Sequence, residues 1–203
     1  MASLDYAGTA LFLKRWLRRP FAMGAVVPSG PLLARAMAEA TMSCMDGRMG
    51  HVIELGAGTG EVTKALLAAG VAPQRLALVE RDPELARFLR ANFADPKTSG
   101  PQIIEGDAAH LPGLLVANGI ERIAAVVSSL PLLSLPSEVV NDIVSGVFET
   151  LPTGAAMVQF TYGPKEPVPF AQRDRLRLQG VRGKRIWRNV PPAVVWTFRK
   201  PPS

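Results

Sequence analysis

The sequence predicts an α/β fold: a mostly parallel seven-stranded sheet that ends in an antiparallel hairpin, with helices ahead of the first strand. Three observations carry this expectation. From residue 51 short apolar runs alternate with helix-like stretches, the pattern of strand–helix–strand units whose right-handed crossovers build a parallel sheet covered on both faces. The tail breaks the rhythm, with two strand-like segments joined across Pro191-Pro192. Finally, 203 residues that are 48% apolar suffice for one domain with a substantial core.

In order, the strands are expected at His51–Leu55, Leu76–Glu80, Gln102–Glu105, Ile123–Ser128 and Ala155–Thr161, then Arg182–Val190 and Val194–Arg199. Helices are expected at Glu61–Ala69, Pro83–Ala94, Ala108–Ala117 and Ser137–Leu151. Pro83 suits a first helical turn and Ser137 an N-cap. Upstream, roughly fifty residues form two helices about a Pro/Gly-rich joint, with Ser29 placed to cap a helix over Leu32–Ala40. Residues 1–45 are therefore expected as amphipathic and substrate-covering helices, and residues 46–203 as one compact unit.

Composition narrows the setting. A single cysteine, Cys44, excludes an internal disulfide and a cysteine-rich metal site, and suits a reducing cytosol. No metal is expected. No run of 18 apolar residues occurs, and the N-terminal charges follow the apolar residues instead of preceding them, unlike a signal peptide. The net charge of +6 is unevenly spread: residues 1–20 carry +3, residues 21–164 carry −5 and residues 165–203 carry +8. Basic ends on an acidic middle suit a polyanion, whether RNA, DNA or an anionic membrane, or serve solubility alone.

The informative motif is Glu54-Leu55-Gly56-Ala57-Gly58-Thr59-Gly60, between an apolar strand and a helix. Glycines there allow a sharp turn and close approach of a ligand, and the helix N-terminus offers free N–H groups. The spacing is G-x-G-x-G with an acid two places earlier, not the G-x-G-x-x-G of dinucleotide sites. That carboxylate suits a ligand bearing an amino group. Glu80 closes the second strand, where an acid can accept both ribose hydroxyls. Asp107 follows the third strand, placed to accept from an adenine amine, and Ser128 ends the fourth at the edge where ligands sit in open α/β sheets.

This set resembles the class I S-adenosylmethionine-dependent methyltransferases, which implies a Rossmann-like fold and that cofactor. The candidate cofactor residues are Ser29, Glu54, Gly56, Ala57, Gly58, Thr59, Gly60, Glu80, Arg81, Asp107, Ala108 and Ser128. Two families within the class open with helices and carry this motif. The rRNA adenine dimethyltransferases end the fourth strand in N-[IL]-P-[YF], whose aromatic stacks on a flipped base. Here the stretch reads Ser128-Ser129-Leu130-Pro131-Leu132-Leu133, and leucine supplies none of the ~1–3 kcal/mol of base stacking. The chain is similar almost end to end to the bacterial phospholipid N-methyltransferases, in "FLKRWLRRPFAMGAVVPSGPLLARAM", "VIELGAGTGEVTKALL", "VVSSLPLLSLP" and "NVPPAVVW". Gly30 departs from the serine that resemblance leads one to expect.

The resemblance implies stepwise N-methylation of phosphatidylethanolamine toward phosphatidylcholine, at the cytoplasmic face of a bacterial membrane, with no nucleic-acid partner. An amine like that of lysine, pKa ~10.4, is neutral in only about one molecule in 10³ at pH 7, so the site must meet roughly 4 kcal/mol by deprotonation or desolvation. Tyr6, Tyr162, and the Ser128, Ser129 and Leu130 segment are candidates for orienting the amine. Tyr6, Phe21, Phe160 and Tyr162 are available as aromatic faces for a methylated cation. Arg19 and Arg188 are candidates for the lipid phosphate. In "LFLKRWLRRP", Lys14, Arg15, Arg18 and Arg19 share an arc of about 140° at 100° per residue, opposite Phe12, Leu13, Trp16 and Leu17. Such a helix either lies in a membrane interface or packs its apolar face on the domain.

Overall fold

Strands with no polar face belong in the middle of a covered sheet, and the apolar runs do occupy it. The computed structural model describes residues 30–45, 47–93, 100–189 and 191–201. Tyr6, Lys14, Arg15, Trp16, Arg18, Arg19, Phe21 and Ser29 thus lie outside the described residues. The helices are α1 (Pro31–Met45), α2 (Glu61–Ala68), α3 (Pro83–Phe93), α4 (Leu111–Ala117), α5 (Ser137–Thr150) and α6 (Phe170–Arg175). The strands are β1 (His51–Leu55), β2 (Leu76–Glu80), β3 (Gln102–Glu105), β4 (Ile123–Ser128), β5 (Ala156–Tyr162), β6 (Gln179–Ile186) and β7 (Ala193–Arg199).

The seven strands form one sheet in the order β3-β2-β1-β4-β5-β7-β6. β1 to β5 are parallel, and β7 enters antiparallel between β5 and β6. β6 therefore runs in the same direction as β5. Its last residue, Ile186, and the Trp187–Asn189 turn reach the same edge as the carboxyl ends of β1 to β5, which is the edge that carries ligands in this architecture.

Alternation across the pleat sends Val52, Leu76, Leu78, Val127 and Val158 to one face and Ile53, Leu55, Val79, Val126 and Met157 to the other. The first face is covered by α1, α2 and α3 through Leu33, Met37, Val62, Leu66 and Leu89. The second is covered by α4 and α5 through Leu111, Leu115, Val140, Ile143, Val144 and Val147. Burial of each such side chain contributes about 1.5–3 kcal/mol relative to exposure. α1 packs across β4, β5 and β7 and along α2, so its entry point stands over the site edge.

Several boundaries differ from expectation. The helix expected over Leu32–Ala40 spans Pro31–Met45, since Thr41, Cys44 and Met45 continue its buried face. The strand expected at Arg182–Val190 is Gln179–Ile186, because its register is set by pairing with β7 and not by an apolar pattern. Ser137 is the first helical residue, and Pro136, with no side-chain bond, precedes it. Ala108–His110 is a 3-10 turn capped by Asp107, ahead of α4. α6 was not expected; a single 6-residue helix is too short to show a period.

Candidate active site

The glycine loop is left-handed at Gly56, Gly58 and Gly60, with φ of 69°, 57° and 79°, a region that side chains other than glycine occupy at a cost. The Gly56 N–H donates to the Val79 carbonyl at 2.9 Å, and Gly60 N–H to Ala57 O at 2.8 Å. Space matters as much as conformation. A Cβ on Gly56 would lie 2.6 Å from Leu130 Cδ2, and one on Gly60 2.4 Å from the Phe93 ring. Ala57 is buried and Thr59 exposed, so the loop turns its backbone and Thr59 toward the edge.

Glu54 sits wholly inside the protein, with 0% exposure. Its Oε2 accepts a 2.6 Å hydrogen bond from Thr63 Oγ1, on the first turn of α2. Its Oε1 has no hydrogen-bond partner. Burial first, with a smaller contribution from the nearby Glu80 charge, pushes this carboxyl up to about 8 against the pull of the Thr63 bonds. A buried carboxyl with one unsatisfied oxygen favours a cationic or N–H-bearing ligand, which would supply the missing donor.

Glu80 closes the other side. Its Oε2 accepts from Gly58 N–H and its Oε1 from Asp82 N–H, both at 2.9 Å. Burial raises its pKa, and the backbone donors oppose the rise. With Arg81 N–H as a further donor, three backbone N–H groups hold the carboxylate, and it keeps acceptor capacity for a ligand hydroxyl. Asp107 is more engaged than expected: Oδ1 accepts from Ala109 N–H at 3.0 Å, and Oδ2 pairs with Arg81 at 3.1 Å. Arg81 thus braces Asp107, and Ala108, buried behind it, opens the 3-10 turn.

The fourth strand delivers Ser128 beside Leu55 on β1 and Gln159 on β5. Ser128 Oγ accepts from Leu130 N–H at 3.3 Å, and Ser129 N–H donates to Leu55 O at 2.9 Å. Ser129 Oγ is buried without a partner. The Leu130 carbonyl accepts from Gln159 Nε2 and from Leu132 N–H, both at 2.9 Å, so its lone pairs are committed and it is not the group that orients an amine. Gln159 also donates to Phe160 O at 2.9 Å, which pins the Ser128–Leu130 segment to β5.

Tyr162 ends β5, with its ring edge-on to Phe160 at 5.1 Å. It is hydrogen-bonded to the Asn189 side chain, and burial pushes its hydroxyl up to about 12. At neutral pH it is a neutral phenol, able to orient an amine but not to act as a phenolate base. Asn189 Nδ2 donates to Pro191 O at 2.8 Å, and a Cβ on Gly30 would meet Asn189 Oδ1 at 2.8 Å. Arg188, one residue earlier, is exposed at the same edge.

The structure therefore gathers Glu54, the glycine loop, Glu80, Arg81, Asp107, Ala108, the Ser128–Leu130 segment and Tyr162 along one sheet edge. Thr63, Gln159 and Asn189 were not anticipated. A glutamine inside the otherwise apolar strand AMVQFTY was the available signal for Gln159. Replacing Gln159 by leucine should cost about 1–3 kcal/mol of stability for the unpaired carbonyls. It should also lower kcat roughly tenfold while cofactor affinity shifts less than about threefold. Steady-state kinetics with calorimetric cofactor titration measure this split; equal loss in both would make Gln159 merely structural.

Among the described residues no group of three or more His, Cys, Asp or Glu side chains could hold a metal ion, and no helix is long and apolar enough to cross a membrane. The orphaned Glu54 oxygen, the tight glycine cradle and the two-point-held Glu80 fit S-adenosylmethionine, which carries an amino group and a ribose.

No family model matches the chain. It is 36% identical over 190 residues to an ornithine lipid N-methyltransferase of Singulisphaera acidiphila, covering 93% of this chain and 94% of that protein. It is 38% identical over 110 residues to a probable ribosomal RNA small subunit methyltransferase A of Halobacterium salinarum, covering 54% of this chain but 33% of that one. Among solved structures, magnesium protoporphyrin IX methyltransferase of Synechocystis PCC 6803 superposes with a TM-score of 0.63 at 14% identity, covering 98% of this chain and 99% of that one. TrmN of Thermus thermophilus gives 0.64 at 18% identity, covering 93% and 53%. These two likenesses bear on the fold, whereas the full-length relative bears on the family. The chain belongs to the class I S-adenosylmethionine-dependent methyltransferases, in one family with the Singulisphaera protein.

Proposed function

We propose that the protein transfers methyl groups to the primary amine of a membrane lipid, stepwise, with phosphatidylethanolamine as substrate and phosphatidylcholine as end product. The observation that carries this is the loop after β4. Where an adenine methyltransferase presents an aromatic ring, this chain has Leu132, which is 3% exposed and packed in the core beneath α5. It offers no face for a base. Leu133, 48% exposed, is the residue left at the surface, and it suits an acyl or headgroup neighbour better than a nucleotide. The ornithine lipid named for the Singulisphaera relative supports a lipid acceptor, and ornithine also bears a primary amine.

S-adenosylmethionine, when bound, supplies an electrophilic methyl group on a sulfonium. Glu54 would hold its amino group, Glu80 its ribose, and the Gly56–Gly60 loop would admit it closely. Ser128, Ser129 and Tyr162 then hold the acceptor amine in line, a geometric contribution that needs no strong base if the edge also desolvates the ammonium. Aromatic faces at Tyr162 and Phe160, with Tyr6 from the N-terminal segment, would accommodate the cation that remains as methyls replace N–H donors. Arg19 and Arg188 would take the lipid phosphate. Lys14, Arg15, Trp16, Arg18 and Arg19 would seat the N-terminal segment on an anionic membrane, at the cytoplasmic face of the cell membrane.

Purified protein incubated with S-adenosylmethionine and vesicles, in one arm containing phosphatidylethanolamine and in another ornithine lipid, tests the reading. Mono-, di- and trimethylated phosphatidylethanolamine in order of appearance is the expected product pattern. Methylation of ornithine lipid alone would replace the substrate, and methylation of neither would remove the lipid reading.

A further inference from the structure

We infer that the exposed edge strand β6, with the Trp187–Asn189 turn that follows it, is a second membrane-docking surface that lays the carboxyl edge of the sheet against an anionic phospholipid bilayer. The inference rests on the lipid reading above, but on different residues.

Charge comes first. From Arg175 to Ser203 the chain holds eight Lys and Arg and no acid. Arg182, Lys184 and Arg185 lie on β6 and Arg188 in the turn, all exposed. Among the described residues none of these four pairs with an acid. The nearby Glu166 is taken by Arg173, and a basic cluster with no acid paired to it has an external counter-charge as its natural partner.

Apolar surface comes second. Trp187 is 68% exposed and Val181 65% exposed, on an edge where a soluble strand needs neither. Lysine and arginine alone would keep an edge strand from pairing with another chain, so that role leaves the tryptophan unexplained. The Arg185 guanidinium lies 4.4 Å from the centroid of the Trp187 ring. A tryptophan at headgroup level beside arginines reaching for phosphates is the ordinary arrangement at a lipid interface.

Direction comes third. Because β6 runs parallel to β5, the Trp187 turn emerges at the edge that holds Tyr162, and the Tyr162–Asn189 hydrogen bond fastens the two together. A bilayer touching Trp187 is thus close to the acceptor side of the site. A surface on the opposite end of β6 would have no such consequence.

The test is co-sedimentation of the full chain with phosphatidylglycerol-containing vesicles, comparing wild type with Trp187→Ala and with Arg182→Glu/Lys184→Glu. Each basic residue near an anionic surface contributes about fivefold in partitioning. The charge reversal should therefore weaken binding by at least about tenfold and flatten its dependence on salt, and Trp187→Ala should weaken it by about fivefold at every salt concentration. Cofactor affinity at the wild-type value shows that both variants fold. Unchanged co-sedimentation of both variants would overturn the proposal. So would loss of binding to a short RNA duplex with vesicle binding intact, which would make the edge a nucleic-acid surface. The lipid-acceptor reading fails separately, on methyl transfer by the wild-type chain; loss of vesicle binding in the variants supports this surface whichever way that assay falls.

Discussion

Glu54→Gln should bind S-adenosylmethionine roughly 10–100-fold more weakly than wild type, the loss expected for one charge-assisted hydrogen bond of about 1.5–3 kcal/mol. The amide keeps an acceptor for Thr63 and nearly the same volume, so the effect is electrostatic. Proton linkage makes the prediction specific. With its pKa pushed up to about 8 by burial, Glu54 is largely protonated in the ligand-free protein at pH 7. An ammonium beside it favours the carboxylate, so binding should release close to one proton. Calorimetry in buffers of different ionisation enthalpy reads that proton directly, and Glu54→Gln should abolish it. Identical proton release in the variant would mean that Glu54 does not face the ligand.

The same carboxyl governs the stability of the ligand-free protein. Its folded pKa lies above the ordinary value of 4.5, so the folded state holds the proton more tightly than the unfolded chain. Its contribution is full below about pH 4.5 and is lost as pH rises through about 8. Ligand-free wild type should therefore melt several degrees lower at about pH 9 than at about pH 6, on the scale of ~2–4 °C per kcal/mol for a chain of this size. Glu54→Gln should show a flatter profile.

Gly56→Ala should abolish measurable cofactor binding and lower turnover by at least about a hundredfold. Two costs combine: the left-handed φ of 69°, about 1–2 kcal/mol for a non-glycine residue, and the approach of the new Cβ to Leu130 Cδ2 at 2.6 Å. The Leu130 backbone is held by Gln159 and Leu132 through its carbonyl, so its side chain has to turn away to make room. Strain at the cofactor loop therefore passes to the acceptor segment. Gly119 separates the two costs, since it has the same φ of 69° but no atom within 4 Å of the place a Cβ would take. Gly119→Ala should lose only stability. Adding Leu130→Ala to Gly56→Ala should restore part of the cofactor affinity, and no restoration would show that conformation alone is responsible.

How much of this was legible depended on burial. β1 to β4 were placed to the residue because their apolar runs end where the core ends, at Leu55, Glu80, Glu105 and Ser128. The glycine loop and the acids at the strand ends were legible for a related reason: Gly56, Gly58 and Gly60 answer to positive φ, and Glu54 and Glu80 interrupt buried surface. β6 was misplaced because all but its last residue are exposed, and an edge strand formed by pairing alone writes no period into the chain. The break ahead of it is marked by Arg177, whose φ of 52° no residue type announces. Thr63, Gln159 and Asn189 were missed for a third reason. Gln159 and Asn189 act on neighbours distant in sequence, which only the register of β4 against β5 and the fold of the β6–β7 turn reveal, and Thr63 meets Glu54 only because the glycine loop folds the first turn of α2 back onto β1.

Among the described residues, the proposed acceptor side holds no strong base. Tyr162 is too weak an acid to serve as a base, and the Leu130 carbonyl is already committed. On the proposed function, the chain's own contribution to methyl transfer is position and desolvation, which suits an amine delivered from a lipid surface at the edge framed by Tyr162, Leu133 and the Trp187 turn.

The central claim is that the acceptor is a lipid amine and not a nucleobase. It is tested most directly by one mixed incubation of the protein with methyl-labelled S-adenosylmethionine, phosphatidylethanolamine vesicles and ribosomal RNA, followed by phase extraction. Label in the organic phase, on methylated phosphatidylethanolamine, is the predicted result; label on RNA with an unlabelled lipid phase would contradict it.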